Sequence, residues 1–270
     1  MRVQPLPWST PFLRRIAVPD ARPEIGVAVG IRPGEDGQGV LVSYNPRQRS
    51  VRFRLRIALA LKAMGFSLGW LRALSPLIEG ERGSWIIGLE AEADQLTGTL
   101  YIEELDRFFP PTELDALWEK TAKALDLPLP PPIAIGAPYI LAIDFDRAGA
   151  TRLKRYHLTL PGSKALPASW AVPEVLRPDT HGHILQRRGG DDSIKVYRCY
   201  PYQTHPEQAP SAWQNWHTLT GQPPPLGLSH DTPITSIGAR LVGGQVTAAV
   251  VYTVPRWGVS RSDSSPKTSM

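Results

Sequence analysis

Thr151-Arg152-Leu153-Lys154-Arg155-Tyr156-His157-Leu158-Thr159 is the stretch on which the fold turns. It reads as the second arm of a β-hairpin whose first arm is Tyr139 to Phe145 and whose turn is Asp146-Arg147-Ala148-Gly149. Side chains alternate along a strand, so Arg152, Lys154 and Tyr156 share one face, with a step of about 7 Å between successive members. Two cations and a phenol in a row make an anion-binding stripe. A solvated strand face gives the same pattern, and the opposite face (Leu153, Arg155, His157) is mostly polar for a strand packed on helices. The stripe gains weight because similar arms recur.

Before it, Glu24 to Ile31 and Gly39 to Tyr44 flank Arg32-Pro33-Gly34-Glu35-Asp36-Gly37 as a first hairpin, after an irregular proline-rich lead-in over residues 1–23. Val51-Arg52-Phe53-Arg54-Leu55-Arg56 is the cleanest alternation in the chain and reads as a strand with Arg52, Arg54 and Arg56 on one side. Ile57 to Leu74 reads as a helix with Leu59, Ala63, Phe66 and Trp70 at helical spacing. Ser84 to Glu92 and Thr97 to Leu105 make a second hairpin about Asp94-Gln95. Pro111 to Leu125 then reads as a helix burying Leu114, Leu117, Trp118, Thr121 and Leu125.

Beyond the opening stretch the alternation of hairpin and helix continues. A short helix is expected around Ala168 to Leu176, a fourth hairpin over His181 to Gln186 and Ser193 to Tyr200, and a helix over Ser211 to Leu219. The fifth hairpin is Ile234 to Leu241 and Gln245 to Val254, turning at Gly243-Gly244. Five hairpins with helices between them predict an α+β protein. Its ten antiparallel strands would close into a barrel with helices outside, which hides every sheet edge and encloses a ligand-sized interior. An open sheet with helices on one face fits the same periodicity. Residues 1–257 are expected to form this one domain, and the Ser-rich, charged residues 258–270 a disordered tail.

Composition narrows the function. The chain has 270 residues, 42% hydrophobic and 20% charged, as a globular protein with a sizeable core does. A formal charge of +5 suggests an anionic partner, but Lys and Arg are spread rather than massed, which argues against nucleic acid. The single cysteine, Cys199, excludes an intramolecular disulfide and a multi-cysteine zinc site. No run approaches the roughly 20 apolar residues of a membrane span, and residues 1–10 carry no leader pattern. A cytoplasmic protein is expected.

The second arms of the hairpins, set side by side, carry the chemistry. They give Arg52 in Val-Arg-Phe-Arg, Thr99-Leu-Tyr101, Arg152-Leu-Lys154-Arg-Tyr156, Lys195-Val-Tyr197 and Val250-Val-Tyr252. Four of the five place a tyrosine two residues after a comparable position, and two place a lysine there. Inside one barrel they would form a level of cations and phenols.

On these residues the sequence resembles the aromatic prenyltransferases of the ABBA, or PT-barrel, type, nearest the indole (dimethylallyltryptophan synthase-like) branch. The resemblance spans roughly residues 40 to 255. Arg152-x-Lys154-x-Tyr156 matches the family's R-x-K-x-Y, and Leu41-Val-Ser43-Tyr-Asn45 stands where the family has E-x-S-x-N, eleven residues ahead of Arg52. The resemblance implies an isoprenyl diphosphate donor held by Arg52, Arg152, Lys154, Tyr156, Lys195 and Tyr197. Tyr101 and Tyr252 would shield the allyl cation, and an aromatic or peptide acceptor would be alkylated by a Friedel-Crafts-type reaction. Two departures follow. Leu41 replaces the glutamate that holds an indole nitrogen, and Thr99 replaces a lysine. The ring proton leaves to a base or to the departing diphosphate; Glu103, with the strand parity of Tyr101, is the candidate base, and a surface carboxylate is its plainer reading. No resident cofactor is implied, and magnesium on the diphosphate is left open because only some family members use it.

Other patterns have plainer readings. Asp144-Phe145-Asp146 reads as turn chemistry, His181-Gly182-His183 as surface residues without a third metal ligand, Trp213 and Trp216 as helix packing, and Arg14-Arg15 and Arg187-Arg188 as solvated charge. The glycines at 30, 34, 37 and 39 lack the strand-to-helix setting of a dinucleotide loop. A non-catalytic barrel for an apolar or phosphorylated ligand, and a basic sheet that stacks nucleic-acid bases, are the alternatives to the transferase.

Overall fold

The computed structural model describes residues 22–253 except 31–36, 44–50, 76, 78–82, 93–94, 163–165, 178–181, 201–208 and 226–227; for 22–30, 37–43, 51–53, 91–92, 95 and 111 it describes the backbone alone. Of the expected lead-in over residues 1–23, residues 1–21 lie outside the described residues, as does the tail 258–270, while Arg22 and Pro23 belong to a strand.

Ten strands run β1 (Arg22–Gly30), β2 (Gly37–Ser43), β3 (Ser84–Glu92), β4 (Gln95–Glu103), β5 (Ala137–Phe145), β6 (Ala150–Thr159), β7 (His183–Arg188), β8 (Ile194–Cys199), β9 (Ile234–Val242) and β10 (Gln245–Thr253). Each pairs antiparallel with its sequence neighbours, and β1 pairs with both β2 and β10, so the ladder returns on itself. Turn chemistry sets the hairpins. In the β5–β6 turn the Asp146 carboxylate accepts from the amides of Ala148 at 2.7 Å and Gly149 at 3.0 Å. The β9–β10 turn needs positive φ at Gly243 (55°) and Gly244 (78°), which glycine adopts without steric cost.

Helices lie against the outer face. α1 (Val51–Ala63) and a 3-10 turn at Gly69–Leu74 follow the first hairpin, α2 (Pro111–Leu125) the second, and α3 (Ala209–Thr220) the fourth. Alternation along the strands divides the side chains accordingly. Ile87 and Leu89 of β3, Leu100 and Ile102 of β4, Leu141, Ile143 and Phe145 of β5, and Leu153 of β6 pack outward on α1 and α2 around Trp118. Leu185, Val196, Ile237, Ala239 and Val251 pack outward on α3 around Trp213 and Trp216. A third cluster of Ile140, Ala142, Tyr156, Tyr197 and Val250 is the interior. The antiparallel sheet with helices on its outer face is thus as expected.

Three expectations are corrected. Val51–Arg56 is not a strand but the first half of α1. Six residues are too few to separate the 2-residue and 3.6-residue periods, because positions i and i+4 share a face in both, and Arg and Leu favour helix. Within α1 the buried positions are Arg54, Ile57, Ala60 and Leu61, whereas Leu59, expected in the stripe, is exposed. The helix also stops at Ala63, and Gly65 turns the chain with φ 87° before the Gly69–Leu74 turn. The single helix expected over Ala168–Leu176 is two 3-10 turns, Ala168–Trp170 and Glu174–Leu176. Pro173 separates them, because proline cannot donate to a continuing helix and restricts the residue before it.

The polar outer face of β6 is partly satisfied: Arg155 and His157 each have partners, while Arg155 Nε and His157 Nε2 are buried without one among the described residues. The Arg155 guanidinium pairs with Asp115 of α2 at 2.5 Å and lies 4.9 Å from the Trp118 ring, a partner on each side of a buried cation. His157 Nδ1 lies 3.0 Å from the Ile135 carbonyl, and burial holds its pKa below the usual histidine value. His183, expected on the surface, is buried, with Nε2 at 2.6 Å from the Leu176 carbonyl and its backbone amide donating to Thr159 Oγ1 at 2.9 Å.

Candidate active site

Four tyrosines meet in the interior, each from the second strand of a different hairpin: Tyr101 of β4, Tyr156 of β6, Tyr197 of β8 and Tyr252 of β10. The Tyr101 and Tyr156 rings meet edge to face with centroids 5.8 Å apart, and Tyr197 and Tyr252 lie tilted at 6.1 Å. Tyr197 Oη donates to Gln186 Oε1 at 3.1 Å. Its ring can take this place because Gly238 stands opposite on β9; a Cβ there would come within 2.4 Å of Tyr197 Cδ1. Burial raises the pKa of Tyr101, Tyr156 and Tyr197, so all three phenols stay neutral hydrogen-bond donors. Ala142, Ile140, Ile184 and Val250 fill in between them, giving an apolar, π-rich wall.

Beside the tyrosines lies a belt of charge. Thr99, Asp144 and Arg152 stand opposite one another across β4, β5 and β6. Lys154 stands opposite Arg188 across β6 and β7, and Lys195 is flanked by Gln186 on β7 and Arg240 on β9. Lys154 Nζ pairs with Asp144, whose Oδ1 also accepts from Thr99 Oγ1 at 2.5 Å. Burial alone would raise the Asp144 pKa, but the Lys154 ammonium and the two hydrogen bonds outweigh it and hold the carboxyl below its usual range. Lys195 has neither a hydrogen bond nor an ion pair among the described residues, and burial, with the nearby Lys154 charge, pushes its pKa down to about 8.

The expected site residues thus divide. Arg152, Lys154, Tyr156, Lys195, Tyr197, Tyr101 and Tyr252 come together inside the barrel. Arg52 sits on α1 rather than on a strand, and its side chain is outside the described residues; the neighbouring Arg54 points outward instead, donating to the carbonyls of Leu77 at 3.0 Å and Gly83 at 3.3 Å and lying 5.2 Å from the Trp85 ring. The side chain of Leu41, on β2, and Asn45 lie outside the described residues as well. Glu103 is half-buried at the far end of β4, where its charge helps raise the pKa of Tyr139, behind the effect of burial.

Several residues of the belt were missed. Asp144 was read as turn chemistry, which holds for Asp146 alone. Arg188 was read as solvated, yet its side chain is 13% exposed and lies 2.7 Å from Asp191. Arg240 reaches the same oxygen at 2.7 Å. The signal was present as parity: Arg188 follows Gln186 by two and Arg240 follows Gly238 by two, so each shares the inward face of its strand. Among the described residues no group of three or more His, Cys, Asp or Glu side chains is placed to hold a metal ion.

A barrel of antiparallel hairpins with helices outside and an interior of tyrosines and cations is the architecture of the ABBA-type aromatic prenyltransferases, and comparison with solved structures bears out this fold. The chain is similar to the apo form of the prenyltransferase PriB with a TM-score of 0.63 at 15% identity, covering 87% of this chain and 80% of that one. It is similar to the 5-dimethylallyltryptophan synthase of Streptomyces coelicolor with a TM-score of 0.55 at 14% identity (87% and 81% covered), and to AnaPT of Neosartorya fischeri with 0.51 at 12% (87% and 78% covered). No protein-family sequence profile matches the chain, and no curated protein sequence matches it. At these identities the likeness is one of fold.

Proposed function

We propose that this protein is a prenyltransferase that moves an isoprenyl group of the dimethylallyl or geranyl class from its diphosphate to an aromatic or other nucleophilic small molecule or peptide. The observation that carries the reading is the placement, in one interior, of four tyrosines from four hairpins beside Lys154, Lys195 and Arg152. PriB has been solved with L-tryptophan and dimethylallyl thiolodiphosphate, a donor analogue and an aromatic acceptor in a barrel of this fold.

The chemistry follows from the residues. Arg152, Lys154 and Lys195 supply positive charge for the diphosphate, with Tyr156 and Tyr197 as neutral donors. As the allylic C–O bond breaks, its electron pair goes to the bridging oxygen, and fixed cations stabilise that developing charge without reorganising. The faces of Tyr101, Tyr156, Tyr197 and Tyr252 shield the allyl cation from water. The acceptor ring, held in contact, attacks the cation and forms the C–C bond, and its proton leaves to Glu103 or to the departing diphosphate. In this reading the ten-stranded ring is a closed PT-barrel reaction chamber, Leu41 removes the usual anchor for an indole nitrogen, and the protein works in the cytoplasm. No helix among the described residues is long and apolar enough to cross a membrane.

Turnover tests it. With dimethylallyl or geranyl diphosphate and a panel of phenolic, indolic and peptide acceptors, a prenylated product should form and disappear in Lys154→Ala. Donor binding without product from any acceptor would favour the non-catalytic container. The nucleic-acid alternative loses its ground because these cations face the interior.

A further inference from the structure

Arg188 and Arg240 take no part in the sequence match, yet they complete the charged belt on the β7–β9 side. A single carboxylate oxygen, Asp191 Oδ2, lies 2.7 Å from Arg188 Nε and 2.7 Å from Arg240. Asp191 is itself fixed, its other oxygen accepting from the Ser193 amide at 2.6 Å, and Ser193 Oγ accepts from Arg240 Nε at 3.2 Å. The turn between β7 and β8 therefore holds two guanidiniums side by side. They stand next to Lys154 and Lys195 in the register, on the inward face of their strands.

One carboxylate does not balance this group. Among the described residues five cations (Arg152, Lys154, Arg188, Lys195, Arg240) share the belt with two carboxylates, Asp144 and Asp191, and the exposed Glu90 of β3 adds a third negative charge that reaches Lys195, Tyr101 and Tyr197. The crowding is felt: burial, and then the Arg240 charge, pull the Arg188 pKa below its usual value. Such a cluster is stable only because Asp191 and the strands fix it, and it is complementary to a polyanion with several oxygens. Planar guanidiniums, with five N–H donors each, match phosphoryl oxygens in a way a lysine does not. Lys154 has a carboxylate of its own in Asp144, whereas Arg188 and Arg240 share one between them.

We infer that Arg188 and Arg240, preorganised by Asp191, form the second half of the anion site, taking the terminal phosphoryl group of a diphosphate whose other phosphoryl group lies on Lys195 and Lys154. The inference rests on the proposed donor reading. It assigns the charge missing at Thr99 to the opposite side of the barrel, and it leaves Asp144 as an internal counterion rather than a ligand.

Calorimetric titration with inorganic diphosphate separates this inference from the reading beneath it. Arg188→Gln and Arg240→Gln should each weaken diphosphate binding at least about tenfold, as loss of a charge-assisted pair does. Lys120→Gln, an exposed cation of α2, should leave it unchanged. Asp191→Asn keeps both guanidiniums but loosens them, so binding should weaken less than in either arginine variant. Thermal unfolding followed with and without diphosphate guards against misfolding: the ligand should raise the unfolding midpoint of the wild type and much less that of the arginine variants. Arginine variants that unfold earlier yet bind diphosphate as tightly as wild type would overturn the inference and leave a rim ion-pair network only. Wild type that does not bind diphosphate would overturn it too. Should diphosphate bind with the expected dependence while dimethylallyl thiolodiphosphate binds no tighter, the anion site stands and the prenyl reading fails.

Discussion

Replacing Gly238 by alanine perturbs the tyrosine group without touching a charge. The added Cβ would come within 2.4 Å of Tyr197 Cδ1, 2.8 Å of Cε1 and 3.1 Å of Cγ, so the ring must move. Tyr197 is only 6% exposed and held by Tyr252 and by its bond to Gln186, so moving the ring disturbs both contacts. Overpacking of this kind costs about 1–3 kcal/mol, including the phenol hydrogen bond at about 1 kcal/mol. For a chain of this size that lowers Tm by about 2–10 °C. Gly98→Ala makes the same lesion on the outer face of β4, with a Cβ 2.3 Å from the Phe145 ring, and serves as the comparison. Both variants should lose stability by differential scanning calorimetry. Gly238→Ala alone should lose affinity for a prenyl thiolodiphosphate, and its stability cost should shrink in a Tyr197→Ala background. Equal donor affinity in the two glycine variants would refute the placement of Tyr197 at the donor.

Other perturbations read the belt and the outer shell. Because the Lys195 pKa lies near 8, its ammonium is present below that value and lost above it, so donor affinity should fall as pH rises through about 8. Lys195→Gln should bind more weakly and flatten the profile, and a flat wild-type profile contradicts the assignment. Asp144→Asn strips Lys154 of its counterion; ligand-free Tm should fall while diphosphate affinity rises severalfold, and unchanged affinity places Asp144 away from the anion. Arg155→Ala removes a buried cation from between Asp115 and Trp118. It should cost about 2–3 kcal/mol, less than a fully buried pair because Asp115 is exposed, with donor affinity intact in the same titration.

How far the sequence carried this account depended on which physical signal each residue gives. Hairpins announced themselves through turn residues, as at Asp146–Gly149 and Gly243-Gly244, and the tyrosines through strand parity, which is a local property. The buried stripe of α2 was legible because one period fits fifteen residues, from Pro111 to Leu125. Val51–Arg56 was not, since six residues satisfy two periods and what decides between them is the tertiary anchoring of Arg54 on Leu77, Gly83 and Trp85. His183 looked like a surface residue, and Arg155 an awkward charge on a strand packed on helices, because their partners, Leu176 and Asp115, come from elements that only the fold brings close. The Asp144–Lys154 pair and the shared hold of Asp191 on Arg188 and Arg240 are cross-strand facts; a sequence gives the parity of each residue but not the register between strands.

The central claim is that this interior binds an isoprenyl diphosphate through its cations and tyrosines together. Calorimetric titration of the native protein and of Lys154→Ala with non-hydrolysable dimethylallyl and geranyl thiolodiphosphates tests it most directly. The account predicts micromolar binding to at least one of them, tighter than inorganic diphosphate, and lost in the variant. Absence of binding to either at moderate salt, or binding indifferent to Lys154, would contradict it.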